Sequence, residues 1–158
     1  MAMKGRQAEK SYNNIIATLD KLGWKYTEYP EDNRVKFNVY GEDLSSTYYF
    51  TISAEKEMAL LQVVLPYRSP REDTDGLAAA VSIANARFYN GNFEFNPKTR
   101  EVSFRMSAFL NGGMVFSEEC AKYMINTACD MVDKYDDKLF AVGKGYLSLT
   151  RFSEIIKN

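Results

Sequence analysis

A chain of 158 residues with 46% hydrophobic and 26% charged side chains can bury one self-sufficient core, without disulfides or metals to staple it. A net charge of −1 gives no basic excess for nucleic-acid backbones, and the longest apolar stretch, Met58 to Leu65, is too short to cross a bilayer. The chain contains no histidine, which excludes Ser-His-Asp, Cys-His and histidine-metal chemistry within one copy.

Taken in chain order, Tyr12, Ile15, Ile16, Leu19 and Leu22 lie at helical spacing and predict a first helix. Asn13, Asn14, Thr18, Asp20 and Lys21 are expected to face water, Gly23 to end the helix, and residues 1–11 to be loose. Trp24 to Asn33, with Pro30 and the Glu31-Asp32 pair, reads as a connector. Three strands follow. Val35, Phe37 and Val39 alternate with polar neighbours in the first, Tyr48, Phe50 and Ile52 mark one face of the second, and Met58 to Leu65 is apolar on both faces apart from Gln62. The short connections between them predict an antiparallel meander.

Pro66 and Pro70 close that section, and Pro70 to Asp75 reads as a polar lead-in to a second helix with Leu77, Ala80, Val81, Ala84 and Phe88 on one face. Its alanines make it thin, and Asn90-Gly91 is expected to end it. A hairpin follows, with Phe93 and Phe95 inward against Val102, Phe104 and Met106, around the turn Asn96-Pro97-Lys98-Thr99. Ser117 is the expected N-cap of a third helix whose buried stripe is Ala121, Met124, Ile125, Ala128, Val132 and Tyr135. Beyond Asp136-Asp137, residues 138–158 hold too many apolar side chains for a free tail. They are read as an extension that docks on the core and ends in a short helix from Thr150.

Little in this pattern suits chemistry. Cys120 and Cys129 stand about 13 Å apart along a helix and point to nearly opposite faces, so they cannot pair, which fits a reducing compartment. Both read as small hydrophobes. Asp73-Thr74-Asp75-Gly76 looks like the start of a calcium loop, but its glycine comes too early and its twelfth position would be Ala84. Gly112-Gly113 and Gly143-Lys144-Gly145 lack the spacing of a phosphate loop. The Asp136-Asp137 and Glu31-Asp32 pairs read as solvated carboxylates in turns or at helix ends. The expectation is therefore no catalytic residue, no cofactor and no metal.

The surplus lies in apolar surface. With Val35, Phe50, Val63, Phe93 and Phe104 on the core face, the opposite face of the sheet still presents Tyr40, Tyr49, Met58, Leu60, Val64 and Phe109. Three covers are open: the C-terminal segment, a second copy of the chain, or a foreign polypeptide. The loop Leu110 to Phe116 is a second candidate surface, with Met114, Val115 and Phe116 beside two glycines as either a contact loop or a helix staple.

Helix, three strands, helix, two strands, helix is also the order of the type III secretion chaperone-like fold. The run Leu22-Gly23-Trp24, the segment Val81 to Phe88 with Asn85, Gly91-Asn92-Phe93-Glu94-Phe95 and Val102-Ser103-Phe104-Arg105 resemble the YbjN family of bacterial sensory transduction regulators. The likeness runs from about Tyr12 to Asp137. It implies a cytoplasmic homodimeric protein that binds other proteins and carries no catalytic residues. The combined expectation is a single α+β domain over 1–158, with an antiparallel sheet of about five strands in the order α-β-β-β-α-β-β-α. Its function would be that of a non-enzymatic protein-binding module, chaperone-like or regulatory, with no nucleic-acid or membrane partner. The alternative is a small-ligand sensor or carrier with a pocket between the alanine-rich helix and the sheet.

Overall fold

The computed structural model describes residues 5–70 and 75–157. The start of the N-terminal stretch and residues 71–74, which hold most of the polar lead-in and of the calcium-loop-like run, lie outside the described residues. In chain order the elements are α1 (Gly5–Leu22), β1 (Tyr26–Tyr29), a 3-10 turn (Pro30–Asp32), β2 (Arg34–Tyr40), β3 (Ser45–Ser53) and β4 (Met58–Arg68). They continue with α2 (Asp75–Asn85), β5 (Asn92–Asn96), β6 (Glu101–Phe109), α3 (Glu118–Lys144) and α4 (Leu149–Ile155). The six strands form one antiparallel sheet in the order β1-β2-β3-β4-β6-β5.

Helices pack on one face of this sheet. α1 lies against β3, α3 crosses β4 and β6, α2 sits beside β5, and α4 packs on α2 and α3. The alternation read from the sequence sets that inner face: Val35 and Phe37, Tyr48, Phe50 and Ile52, Leu61 and Val63, Phe93, and Val102, Phe104 and Met106 are all buried. Ser117 caps α3, its hydroxyl accepting from the Cys120 N–H at 3.1 Å, and the stripe from Ala121 to Tyr135 is buried as expected. The Asn96 side chain holds the β5–β6 turn by accepting from the N–H groups of Lys98 and Thr99.

Several expectations are corrected. α1 begins at Gly5, because Ala8 and Ser11 extend its buried stripe toward the N-terminus. Thr18 does not face water; it is buried, and its hydroxyl is satisfied by donating to the Asn14 carbonyl at 2.8 Å. The connector after Gly23 contains an edge strand, β1, pinned by Tyr12, whose hydroxyl donates to Glu28 Oε1 at 3.0 Å, and by Tyr26, whose hydroxyl donates to Asp20 Oδ1 at 2.7 Å. Finally, α3 runs straight through Asp136-Asp137 to Lys144, because Leu139, Val142 and Gly143 continue its buried face.

α2 ends at Asn85, before the expected Asn90-Gly91, and that residue has a specific task. The Asn85 amide donates to the Phe93 carbonyl at 2.9 Å and accepts from the Phe93 N–H at 2.7 Å. One side chain thus occupies the main-chain groups that Phe93 presents at the β5 edge of the sheet, as another strand would. Phe88, Phe93, Phe104 and Tyr135 pack with ring centroids 5.0–6.2 Å apart. Aromatic rings therefore fill the space where α2 and α3 meet the sheet, while a depression of about 540 Å³ remains between α2 and the end of β5, lined by Ala78, Val81, Asn85, Phe95 and Pro97, where a small-ligand pocket was the alternative expectation.

Candidate functional site

The C-terminal segment does not cover the outer face of the sheet. Phe152 and Ile156 are buried on the helical side, where α4 meets α2 and α3. Among the described residues no helix reaches the other face, and strand register fixes what that face displays. Ser53, Met58 and Phe109 form one row, Arg34, Thr51, Leu60 and Ser107 the next, then Lys36, Tyr49, Gln62, Arg105 and Asn92, then Asn38, Thr47, Val64, Ser103 and Glu94.

Six of the residues singled out in the sequence therefore share this face. Met58, Leu60, Val64 and Tyr49 are half-buried by their neighbours, while Phe109 is 68% exposed directly opposite Met58. Tyr40, 83% exposed, stands beside Ser45, four residues and about 13 Å along the strand from the Lys36–Tyr49 row. It occupies a separate corner. The loop residues divide: Met114 and Val115 are exposed, but Phe116 is 2% exposed with its ring against Phe50, so it belongs to the core and not to a contact surface. The loop is also tied to α1. The Phe116 N–H donates to Ser11 Oγ at 2.9 Å, Asn14 Nδ2 donates to the Phe116 carbonyl at 2.8 Å, and Gln7 Nε2 donates to the Gly113 carbonyl at 3.1 Å.

A charged anchor on the same face went unnoticed in the sequence. Arg34 lies over Tyr29 and Tyr49, with its guanidinium carbon 5.1 and 5.5 Å from the two ring centroids, and Lys36 approaches Tyr49 at 5.9 Å. The Arg34 Nε is buried without a hydrogen-bond partner. The Arg34 side chain lines a cleft of about 790 Å³ bounded also by Tyr49, Gln62, Val64, Glu94 and Ser103. A second depression of about 330 Å³, between Met58, Leu60, Asn92, Arg105 and Ser107, continues across the face. The surface thus combines half-buried apolar side chains, hydroxyls and a stacked cation with an unused donor.

The helical side of the sheet holds a buried carboxylate. Asp136, expected in a solvated turn, is 1% exposed in mid-helix. Burial, with the carboxylates of Asp137, Asp133 and Asp43, raises its pKa to about 6, although the Asp137 N–H donates to its Oδ1 at 2.6 Å and pulls the other way. The folded value lies above the unfolded one. The stability this group contributes is therefore complete below about pH 4 and lost as pH rises through about 6. Asp136→Asn keeps the acceptor for the Asp137 N–H and removes the charge. In chelator-containing buffer it is expected to exceed the parent's stability by about 1–2 kcal/mol at pH 7.5, with the gain vanishing near pH 4. Urea midpoints at the two pH values read this directly, and a pH-independent difference would contradict it. Nearby, burial pushes the Cys129 thiol up, so this cysteine is a packed thiol rather than a nucleophile.

Over residues 11–141 the sequence matches the family described as "YbjN: Putative bacterial sensory transduction regulator". The chain belongs to the YbjN family. Among solved structures it is similar to "YbjN, a putative transcription regulator from E. coli", with a TM-score of 0.57 and 14% identity over 86% of this chain and 93% of that one. It is also similar to a chain of the ExsC–ExsE complex, with a TM-score of 0.60 and 15% identity over 84% and 95%. At such identities the likeness is one of fold. The type III secretion chaperone-like architecture expected for this YbjN-family chain is the observed one, with a sixth strand and a fourth helix added. No curated protein matches the sequence significantly. Among the described residues no helix is long and apolar enough to cross a membrane.

Proposed function

We propose that this YbjN-family protein is a non-enzymatic, cytoplasmic protein-binding module, chaperone-like or regulatory, and that the outer face of its sheet is the docking surface. One observation carries the reading: every helix among the described residues, including the C-terminal α4, lies on the other face, leaving Met58, Leu60, Val64, Tyr49 and Phe109 without a cover from these helices. The chemistry of the face describes its occupant. Half-buried aliphatic side chains between rows of hydroxyls suit an extended segment with alternating apolar residues, and the cationic Arg34 stacked at the edge of this face suits an acidic residue in that segment. Asn85 occupies the Phe93 main chain at the β5 edge, which favours the exposed β1 edge for main-chain pairing. ExsC, whose fold is similar, was solved in a complex with ExsE, which supports a protein partner.

Leu60→Asp with Phe109→Asp places two charges on the open face without touching the core. The double variant is expected to fold like the parent by circular dichroism, and to lose at least about tenfold in affinity for a partner held there. Capture by parent and variant in parallel, with the partner identified and its affinity measured, checks this. Undiminished binding by the variant would overturn the proposal. If the parent is a homodimer in light scattering and only that association is lost, the face belongs to a second copy instead.

A further inference from the structure

We infer that the cavity between the β2–β3 turn and α3 binds an organic cation, an ammonium group carried on a methylene chain. The cavity measures about 350 Å³ and lies on the helical side of the sheet, so it is independent of the docking surface on the outer face. Helical spacing builds one wall: Cys129, Val132, Asp133 and Asp136 stand at i, i+3, i+4 and i+7 along a single face of α3. The other wall comes from Val39, Leu44 and Tyr48, on β2, on the turn and on β3. The turn rests directly on the helix. Glu42 N–H donates to Asp133 Oδ1 at 2.7 Å, and a Cβ at Gly41 would meet that same oxygen at 2.5 Å, so only glycine allows the approach.

The carboxylate in the helical wall selects the ligand's charge. Asp136 is 1% exposed and lines the cavity, with the Asp137 N–H donating to its Oδ1 at 2.6 Å. Among the described residues no cation pairs with it. The charged groups around it, Asp137, Asp133 and Asp43, share its sign. Lys138 is engaged elsewhere, its Nζ pairing with Asp137 Oδ1 at 3.1 Å and donating to the Lys134 carbonyl at 2.8 Å. A buried charge without a counter-charge costs stability, and a cation held in the cavity supplies the partner that the chain does not. Glu42, Asp130 and Asp133, which also line the cavity, add attraction of the same sign. The apolar side chains of Val39, Leu44 and Val132 decide that the cation is organic. A hydrated metal ion gains nothing from such walls, whereas methylene groups are buried against them while their ammonium reaches Asp136.

A free linear diamine and a lysine side chain of a polypeptide offer the same group, and the test separates them. The full chain is titrated calorimetrically with putrescine and with Nα-acetyl-lysine methylamide. One-to-one binding that saturates below about 1 mM is expected; putrescine alone binding assigns the free diamine, the lysine amide alone assigns a polypeptide source, and both together assign a site open to either. Asp136→Asn should weaken binding at least about tenfold, whereas Glu31→Gln, which removes one charge from the exposed 3-10 turn outside the cavity, should bind as the parent does. Burial and its like-charged neighbours hold the Asp136 carboxyl up at about 6, so affinity should rise about tenfold between about pH 5 and pH 7 in the parent and far less in Asp136→Asn. The groups surrounding that carboxyl are Glu42 and Asp43 from the turn, Cys129, Asp130, Asp133, Asp137 and Lys138 from α3, Tyr48 from β3, and Tyr67 from β4, whose hydroxyl donates to the Asp136 carbonyl at 3.1 Å. Burial keeps the thiol and both phenols protonated across this range. No saturable binding of either probe, equal loss in the two variants, or displacement by an equimolar amount of calcium chloride would overturn the site.

Discussion

Phe152→Ala is expected to cost about 3–5 kcal/mol, a large share of the roughly 5–15 kcal/mol that holds a domain of this size together. The ring is 0% exposed, although it comes from a helix of only seven residues near the end of the chain. A helix that short has no stability of its own in water, so α4 persists through its docking on α2 and α3. Small residues on α2 make the approach possible: Ala80 and Ala84 are fully buried. Truncating Phe152 leaves a cavity that a two-turn helix cannot collapse into without undocking. Urea denaturation measures the loss, and limited proteolysis should show early cleavage after residue 145. A cost under about 1 kcal/mol would mean that the C-terminal segment does not belong to the core.

Gly91→Ala is the second large effect, at about 2–4 kcal/mol, built from two separable parts. Gly91 adopts φ +79°, which an L side chain occupies only with strain, and an added Cβ would lie 2.6 Å from Phe104 Cζ and 2.9 Å from Met106 Cγ. Both neighbours are core side chains of β6 and cannot swing aside. Gly112 supplies the control. Its φ is +66° but nothing lies within 4 Å of where a Cβ would stand, so Gly112→Ala should show the strain alone, about 1 kcal/mol. Equal melting-point shifts in the two variants would show that Gly91 is required for its conformation only.

These sites illustrate which parts of the structure were legible in the sequence. The inner sheet face was, because Val35-Phe37, Phe50-Ile52 and Phe104-Met106 repeat every second residue and only one parity can be buried. The same parity placed Tyr49, Leu60, Val64 and Phe109 together outside. β1 was not legible: Tyr26-Thr27-Glu28-Tyr29 shows no apolar alternation, and the strand is held by side-chain bonds to α1 that no local pattern reveals. Phe116 looked like a surface residue beside two glycines, and only its packing on Phe50 across the chain makes it core. Asp136 looked solvated because paired acids usually are, whereas the continuing stripe Leu139-Val142 was the signal that the helix carried on. Arg34 followed the ordinary pattern of an outward charge on a strand. Its stacking between Tyr29 and Tyr49 depends on three separate strands meeting.

The open outer face is the central claim, and methyl-resolved NMR of the labelled protein with a captured partner tests it most directly. The methyl groups of Met58, Leu60 and Val64 report the outer face, while those of Leu61 and Val63 on the same strand and of Ile52 on the neighbouring strand report the core. Large shifts in the first set, with the second nearly unchanged and the α2 and α4 methyls silent, are the expected result. Shifts confined to α2, α4 or the Met114–Val115 loop, with Leu60 and Val64 unmoved, would contradict the account.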